Sequence, residues 1–351
     1  MTDRRSWKLI EPGRPLEAAS DPLPGPGPGE VVVRVAGCGV CHTDLGFYHG
    51  HVRTRAPLPL VLGHEIAGTV EAAAEGLDEW IGRNVLVPAV IPCGECDFCR
   101  DGRGNICARQ SMPGNDADGG FASHVVVTTP GLTPIDTIPD GYTLADFAVI
   151  ADAVTTPLQA IHRAGVTADD LVIVIGVGGV GGYAVQIAAA RGAAVIAIDI
   201  NADRLKLLAE HSGASTIDAS GLETRDVRNA VRAEAQAMGF ARHSWKIFEC
   251  SGTTPGQETA FALLVSAATL AIVGYTHKPA SVRLSNLMAF DASAFGSWGC
   301  PPELYPEAVR LVCDGEIDLR PFIRQMPMER IEEAFALTDA ATEPYRIVLT
   351  P

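Results

Sequence analysis

The stretch Leu171-Val172-Ile173-Val174-Ile175-Gly176-Val177-Gly178-Gly179-Val180-Gly181 decides how this chain folds. Its five leading apolar residues predict a strand, and Val185, Ile187, Ala188 and Ala189 pattern a helix running to Arg191. Glycines between a strand and a helix let the backbone approach a pyrophosphate at the helix N-terminus. Gly176, Gly178, Gly179, Val180 and Gly181 are therefore candidate dinucleotide-binding residues. Asp199 ends the next apolar run, 18 residues after Gly181. A carboxylate there accepts hydrogen bonds from the adenosine ribose and repels a 2′-phosphate, so NAD is expected in preference to NADP.

Downstream, helical patterns alternate with the apolar segments 246–249 and 269–273, which predicts a doubly wound parallel sheet. Upstream, short β segments such as 31–35 and 85–87 are broken by turns, and the Pro/Gly-rich stretch 21–29 reads as a loop between strands. After about residue 291 a further turn-rich piece ends in a strand-like 346–349. The expected fold class is thus α/β: a Rossmann domain at 154–293, and a mainly β domain built from both chain ends, 1–153 and 294–351. No internal repeat or low-complexity tract interrupts this plan.

The 351 residues are 47% hydrophobic, enough for two domains that each bury a core. The 42 acidic residues against 27 basic give a net charge of −15, which argues against nucleic acid or an anionic membrane as a partner. No run reaches the length of a membrane span, and the first 15 residues lack the apolar core of a signal peptide, so a cytoplasmic location is expected. Cys93, Cys96, Cys99 and Cys107 supply four of the nine cysteines within fifteen positions, which suits a metal in a reducing compartment. Four thiolates at this spacing close a tetrahedron around zinc and leave no position for substrate, so a structural lobe is expected at about 92–108. An iron-sulfur cluster or redox-active thiols are the competing readings. Arg100 and Arg103 are expected to offset the excess negative charge of four thiolates on a dication.

Two further runs, Gly37-Cys38-Gly39-Val40-Cys41-His42-Thr43-Asp44 and Gly63-His64-Glu65, carry little weight alone. Taken in order with the cysteine lobe and the glycine turn, they resemble the zinc-containing medium-chain alcohol dehydrogenases across nearly the whole chain. The resemblance implies a GroES-like catalytic domain, a catalytic zinc held by Cys41 and His64, and a third ligand just before the helix entering the cofactor domain. Asp152 stands there, resembling the branch that uses an acidic ligand. One thiolate, one neutral imidazole and one carboxylate cancel the charge of the metal and leave one position open.

The resemblance further implies Thr43 as first acceptor of the alcohol proton and Glu65 as a partner of the inner ligands. It places His42, Thr156, Arg204 and Arg346 at the cofactor. Many family members carry a relay histidine five residues after the first ligand, where this chain has Gly46; His49, His51 or ordered water are the substitutes. The strings Met112-Pro113-Gly114-Asn115, Leu287-Met288-Ala289-Phe290-Asp291 and Trp298-Gly299-Cys300-Pro301-Pro302 are similar to those of 6-hydroxycyclohex-1-ene-1-carbonyl-CoA dehydrogenases. That resemblance implies a cyclic hydroxyacyl-CoA substrate, with Arg53 and Arg55 as candidates for its phosphates and Trp298 as a candidate pocket wall. A dehydrogenase of a simple secondary alcohol or polyol is the first alternative, and a catalytically silent NAD-binding zinc protein is the second. The family also implies a homo-oligomer.

Overall fold

In the computed structural model, which describes residues 3–341 and 343–351, all five side chains of the strand Leu171–Ile175 are buried. A strand covered on both faces is apolar throughout, as this one is. It belongs to a six-stranded parallel sheet ordered Ser215–Asp218, Ala194–Asp199, Leu171–Ile175, Lys246–Glu249, Thr269–Ile272, Ser293–Gly296. From Leu171–Ile175 the chain steps outward through two strands, then crosses back to lay Lys246–Glu249 on the opposite flank. The reversal opens a crevice at the carboxyl ends of these two strands, the place where doubly wound sheets bind ligands. Ile173, Ile198, Val231, Trp245, Ile247 and Leu270 form the core beneath it.

Of the two further sheets, one joins Glu17–Pro22, Asp3–Leu9 and Leu60–Val61, and the larger has seven strands: Ile323–Pro327, Arg346–Thr350, Glu30–Gly39, Glu65–Ala73, Asn84–Val87 and Thr133–Pro134 in order, with His124–Thr128 also paired to Glu30–Gly39. Val31, Val33, Ile66, Val85, Phe121 and Ile347 lie in its core. Register is what matters for function. Gly39 pairs opposite Glu65 in the antiparallel ladder, and Val348 pairs opposite Gly39 on the other side. Cys41, His64 and Arg346 are each within two residues of those positions, so three distant parts of the chain meet at one sheet end.

Two compact units result, one of Met1–Thr155, Gly299–Cys313 and Ile323–Pro351, the other of Thr156–Trp298 and Asp314–Phe322. The second unit therefore takes two pieces that the sequence reading gives to the first. Ser293–Gly296 is the sixth strand of the parallel sheet, which delays the return until Gly299. Asp318 is bonded twice to Gln186: Gln186 Nε2 donates to its carbonyl at 3.3 Å, and its N–H donates to Gln186 Oε1 at 2.8 Å. Phe322 meets Tyr183 edge-on at 6.2 Å. The stretch 21–29 is also partly ordered, since strand Glu17–Pro22 takes its first two residues. No single helix among the described residues is long and apolar enough to cross a membrane.

Candidate active site and metal centres

The first unit contains two groups of potential metal ligands, each with donor atoms within 4.8 Å of one another: Cys93, Cys96, Cys99 and Cys107, and Cys41, His64, Glu65 and Asp152. In the cysteine group the sulfurs are 3.4 Å apart for Cys96 and Cys99, 3.7 Å for Cys96 and Cys107, and 3.9 Å for Cys93 and Cys99. Sulfurs about 2.3 Å from one ion at tetrahedral angles stand about 3.8 Å apart, so this donor set fits zinc. The backbone prepares it. The N–H groups of Cys93 and Arg109 each donate to Cys107 Sγ at 3.3 Å. The N–H of Cys99 is the chief reason that the Cys96 thiol is lowered to about 6. Arg100 and Arg103 do not serve as expected: Arg100 pairs with Asp97 at 2.9 Å, three residues before it, and Arg103 lies over the Phe98 ring. Arg109, unnoticed in the sequence, pairs with Glu95 at 2.7 Å and lies near enough to Cys93 for a thiolate there to raise its pKa.

The second group is built by the strand ends. Cys41 caps the helix His42–Tyr48, and its N–H donates to Asp44 Oδ2 at 3.0 Å. Asp44 Oδ1 accepts from the Gly63 N–H at 3.2 Å and faces His64 Nδ1 at 3.1 Å. One fully buried carboxylate thus ties both ligand segments together and leaves His64 Nε2 as the free ring nitrogen. That nitrogen lies 3.6 Å from Asp152 Oδ2, and Cys41 Sγ lies 3.7 Å from the same oxygen. Three such donors around one zinc are about 3.3 to 3.6 Å apart, so these residues also fit the metal. Burial opposes a charged His64, but Asp44, Asp152 and Cys41 outweigh it and raise its pKa. The sequence run contained Asp44 without a role for it. Its signal is the position three residues into the helix, where a carboxylate closes back on the cap.

Glu65 is fully buried and gives both oxygens to Arg346, which donates from Nε at 2.8 Å and from Nη2. Burial pushes the Glu65 carboxyl up to about 7 against the pull of Arg346. This pair is close to neutral, so its charges do not upset the balance of Cys41 and Asp152 against a dication. Arg346 Nη2 also stands 4.0 Å from Asp152 Oδ2. Gly39 has to be glycine here, because a Cβ would lie 2.0 Å from Glu65 Oε2. Thr43 Oγ1 is 3.7 Å from Cys41 Sγ. His49, the residue that caps the same helix at its other end, is exposed with Nε2 3.4 Å from Asp339, and its ring lies 5.6 Å from that of His51.

In the second unit the helix Gly181–Ala190 follows the glycine turn, with Val180 at its cap. Asp199 is buried, and its carboxylate accepts from the N–H of Val177 at 2.7 Å, of Ile200 at 2.8 Å and of Asn201 at 2.9 Å. Arg204 Nη1 is 3.9 Å away. The carboxylate therefore holds the glycine turn from the end of the neighbouring strand. Asp199→Ala is expected to raise KM for NAD at least about tenfold and to shrink the preference over NADP, as KM values for both cofactors will report. Thr156 is buried in the first turn of helix Thr155–Ala164. Trp298 is half exposed, Arg55 pairs with Asp116 at 3.4 Å, and Arg53 lines an open pocket of about 560 Å³ with His49, Val52 and Leu58.

Residues 27–137 match the alcohol dehydrogenase GroES-like domain family and residues 179–314 the zinc-binding dehydrogenase family. An alcohol dehydrogenase of Geobacillus stearothermophilus is 30% identical over 323 residues, which cover 92% of this chain and 91% of that protein. The chain belongs to the zinc-binding alcohol dehydrogenases. The crystal structure of galactitol-1-phosphate dehydrogenase from Escherichia coli superposes with a TM-score of 0.87 at 27% identity, covering 99% of this chain and 100% of that one. An alcohol dehydrogenase from E. coli CFT073, complexed with NADH, gives 0.86 at 25% identity over the full length of both. This zinc-binding alcohol dehydrogenase is accordingly an oxidoreductase with zinc and NAD as cofactors, and its own donor sets, glycine turn and Asp199 fit both.

In this dehydrogenase Asp44→Asn is expected to weaken zinc at the Cys41 group about 10-fold to 100-fold while leaving the cysteine lobe loaded. Competition with a chelator, read as the fraction of metal retained per chain, checks this.

Proposed function

We propose that the protein oxidises a secondary alcohol with NAD, with the hydroxyl directed to the centre defined by Cys41, His64 and Asp152. The observation that supports this reading is the convergence of Cys41 Sγ and His64 Nε2 on Asp152 Oδ2, at 3.7 and 3.6 Å. When bound, zinc acts as a Lewis acid toward a hydroxyl oxygen, and NAD accepts a hydride. Cys41, His64 and Asp152 are the ligands, because Glu65 commits both oxygens to Arg346. Asp44 orients His64, and Thr43 accepts the hydroxyl proton. His49 hands that proton toward solvent beside Asp339, in place of the histidine that Gly46 replaces. Gly176, Gly178, Gly179, Val180 and Gly181 receive the pyrophosphate, Asp199 and Arg204 the adenosine, and His42 and Thr156 the remaining cofactor. The family resemblance also assigns Arg346 to the pyrophosphate, beside its pairing with Glu65. The balance is one alcohol and NAD⁺ giving one ketone, NADH and a proton. The cysteine lobe keeps its zinc for structure only, since all four positions are filled.

The narrower substrate we propose is 6-hydroxycyclohex-1-ene-1-carbonyl-CoA, oxidised to the 6-oxo ester. Its support is the Asp152 segment together with the strings at 112–115, 287–291 and 298–302. A second reading, a simple alcohol or polyol, is favoured by the named activities of the Geobacillus and E. coli relatives. Initial rates of NADH formation with cyclic hydroxyacyl-CoA esters, free secondary alcohols and polyol phosphates separate the two. Turnover of the esters at least about a hundredfold above the others supports the narrow substrate. Turnover of free alcohols or polyol phosphates with none of the esters overturns it and leaves the broader reading intact.

A further inference from the structure

Glu249 ends the strand Lys246–Glu249 beside the crevice and is completely buried, an uncommon place for a carboxylate with no cation on it. Its Oε1 accepts from the Ser251 N–H at 2.8 Å, the Ser251 hydroxyl at 2.5 Å and the Gly252 N–H at 3.1 Å. Its Oε2 is buried without a hydrogen-bond partner among the described residues. A carboxylate that is desolvated on one oxygen and crowded with donors on the other is costly to bury, and the donors it gathers show what it holds in place. The consequence is visible in what its loop touches. A Cβ on Gly176 would stand 2.4 Å from Ser251 Cα, so the glycine turn and this loop are in backbone contact. Cys250 donates its N–H to the Ile175 carbonyl at 2.8 Å, joining the loop to the end of the neighbouring strand. On the far side a Cβ on Gly274 would meet Gly252 N at 2.2 Å, and the Gly274 N–H donates to the Glu249 carbonyl at 2.9 Å.

We propose that Glu249 is a positioning residue for the dinucleotide: by clamping the loop 250–252 it sets the place of the Gly176 turn from the side opposite Asp199. Asp199 holds Val177 from one flank, and Glu249 holds Ser251 against Gly176 from the other. The proposal rests on the reading of that turn as the NAD site, and goes beyond it by assigning a residue of the neighbouring strand whose hydrogen bonds go to its own loop. Loss of the clamp orphans two N–H groups and frees the loop, so cofactor affinity falls while the chemistry of bound substrate does not.

NADH affinity, measured by fluorescence titration below the unfolding temperature, tests this with Asp199→Ala as the control. Glu249→Ala is expected to raise the Kd for NADH at least about tenfold, with kcat at saturating NAD within about twofold of wild type and KM for the alcohol unchanged. Glu249→Gln keeps an accepting oxygen and is expected to stay within about threefold. Wild-type affinity in Glu249→Ala while Asp199→Ala is weakened overturns the proposal, as does a Glu249→Gln defect equal to that of Glu249→Ala. Wild-type affinity in both Glu249→Ala and Asp199→Ala overturns the NAD reading of the turn itself. If Glu249→Ala does not fold, Ser251→Ala decides: about threefold weaker binding is expected, and an unchanged Kd contradicts the clamp.

Discussion

Cys41→Ser is expected to lower kcat/KM by at least about 10³-fold and to remove one of two zincs per chain. The thiolate is one of three donors around the Cys41 centre, with Asp152 Oδ2 3.7 Å away, and a serine hydroxyl ligates zinc poorly in its place. A zinc held there would contribute several kcal/mol of charge stabilisation at the reacting oxygen, which at about 1.4 kcal/mol per factor of ten gives the stated loss. Stability is expected to change little, because the four-cysteine group is a separate set of donors. Steady-state rates with metal content per chain check both parts. Activity within tenfold of wild type, with two zincs retained, contradicts the assignment.

Arg346→Ala destabilises the first unit by about 3 to 5 kcal/mol, the typical result of stripping one partner from a buried ion pair. Glu65 is fully buried, and both of its oxygens are satisfied by this one guanidinium. Without Arg346 nothing offsets the burial that raises the Glu65 carboxyl, so near Asp152 the residue must either take up a proton or stay an unpaired buried charge. The double variant Arg346→Ala with Glu65→Gln is expected to recover much of the loss, since no buried charge is then left unmatched. Denaturant midpoints for wild type, both single variants and the double variant provide the check. A fall of less than about 1 kcal/mol in Arg346→Ala shows that the pair contributes little and that the arginine serves the cofactor alone.

The parts of this protein that were legible in the sequence are those whose physics is local. The glycine turn lies between its own strand and helix, and the four cysteines sit within fifteen positions, so spacing alone shows the geometry. Asp199 was visible for the same reason, at the end of the strand after the turn. What stayed hidden depends on register. Nothing in the neighbourhood of Glu65 announces a partner 281 residues away, and only the antiparallel pairing of Glu30–Gly39 with both flanking strands brings Arg346 to it. The double duty of Asp44, and the clamp at Glu249, each require knowing which strand ends are neighbours. The boundaries at 294–298 and 314–322 were misplaced because one short strand and one pair of bonds between Gln186 and Asp318 decide them. Neither leaves a compositional trace.

The central claim is that three side chains distant in sequence share one zinc, apart from the zinc of the cysteine lobe. Anomalous diffraction at the zinc edge, from crystals of the protein as purified, tests it most directly. Two peaks per chain are expected, one within about 2.4 Å of all four lobe sulfurs and one within about 2.4 Å of Cys41 Sγ, His64 Nε2 and an Asp152 oxygen. A single peak confined to the lobe, or a second peak that Asp152 does not reach, contradicts the account.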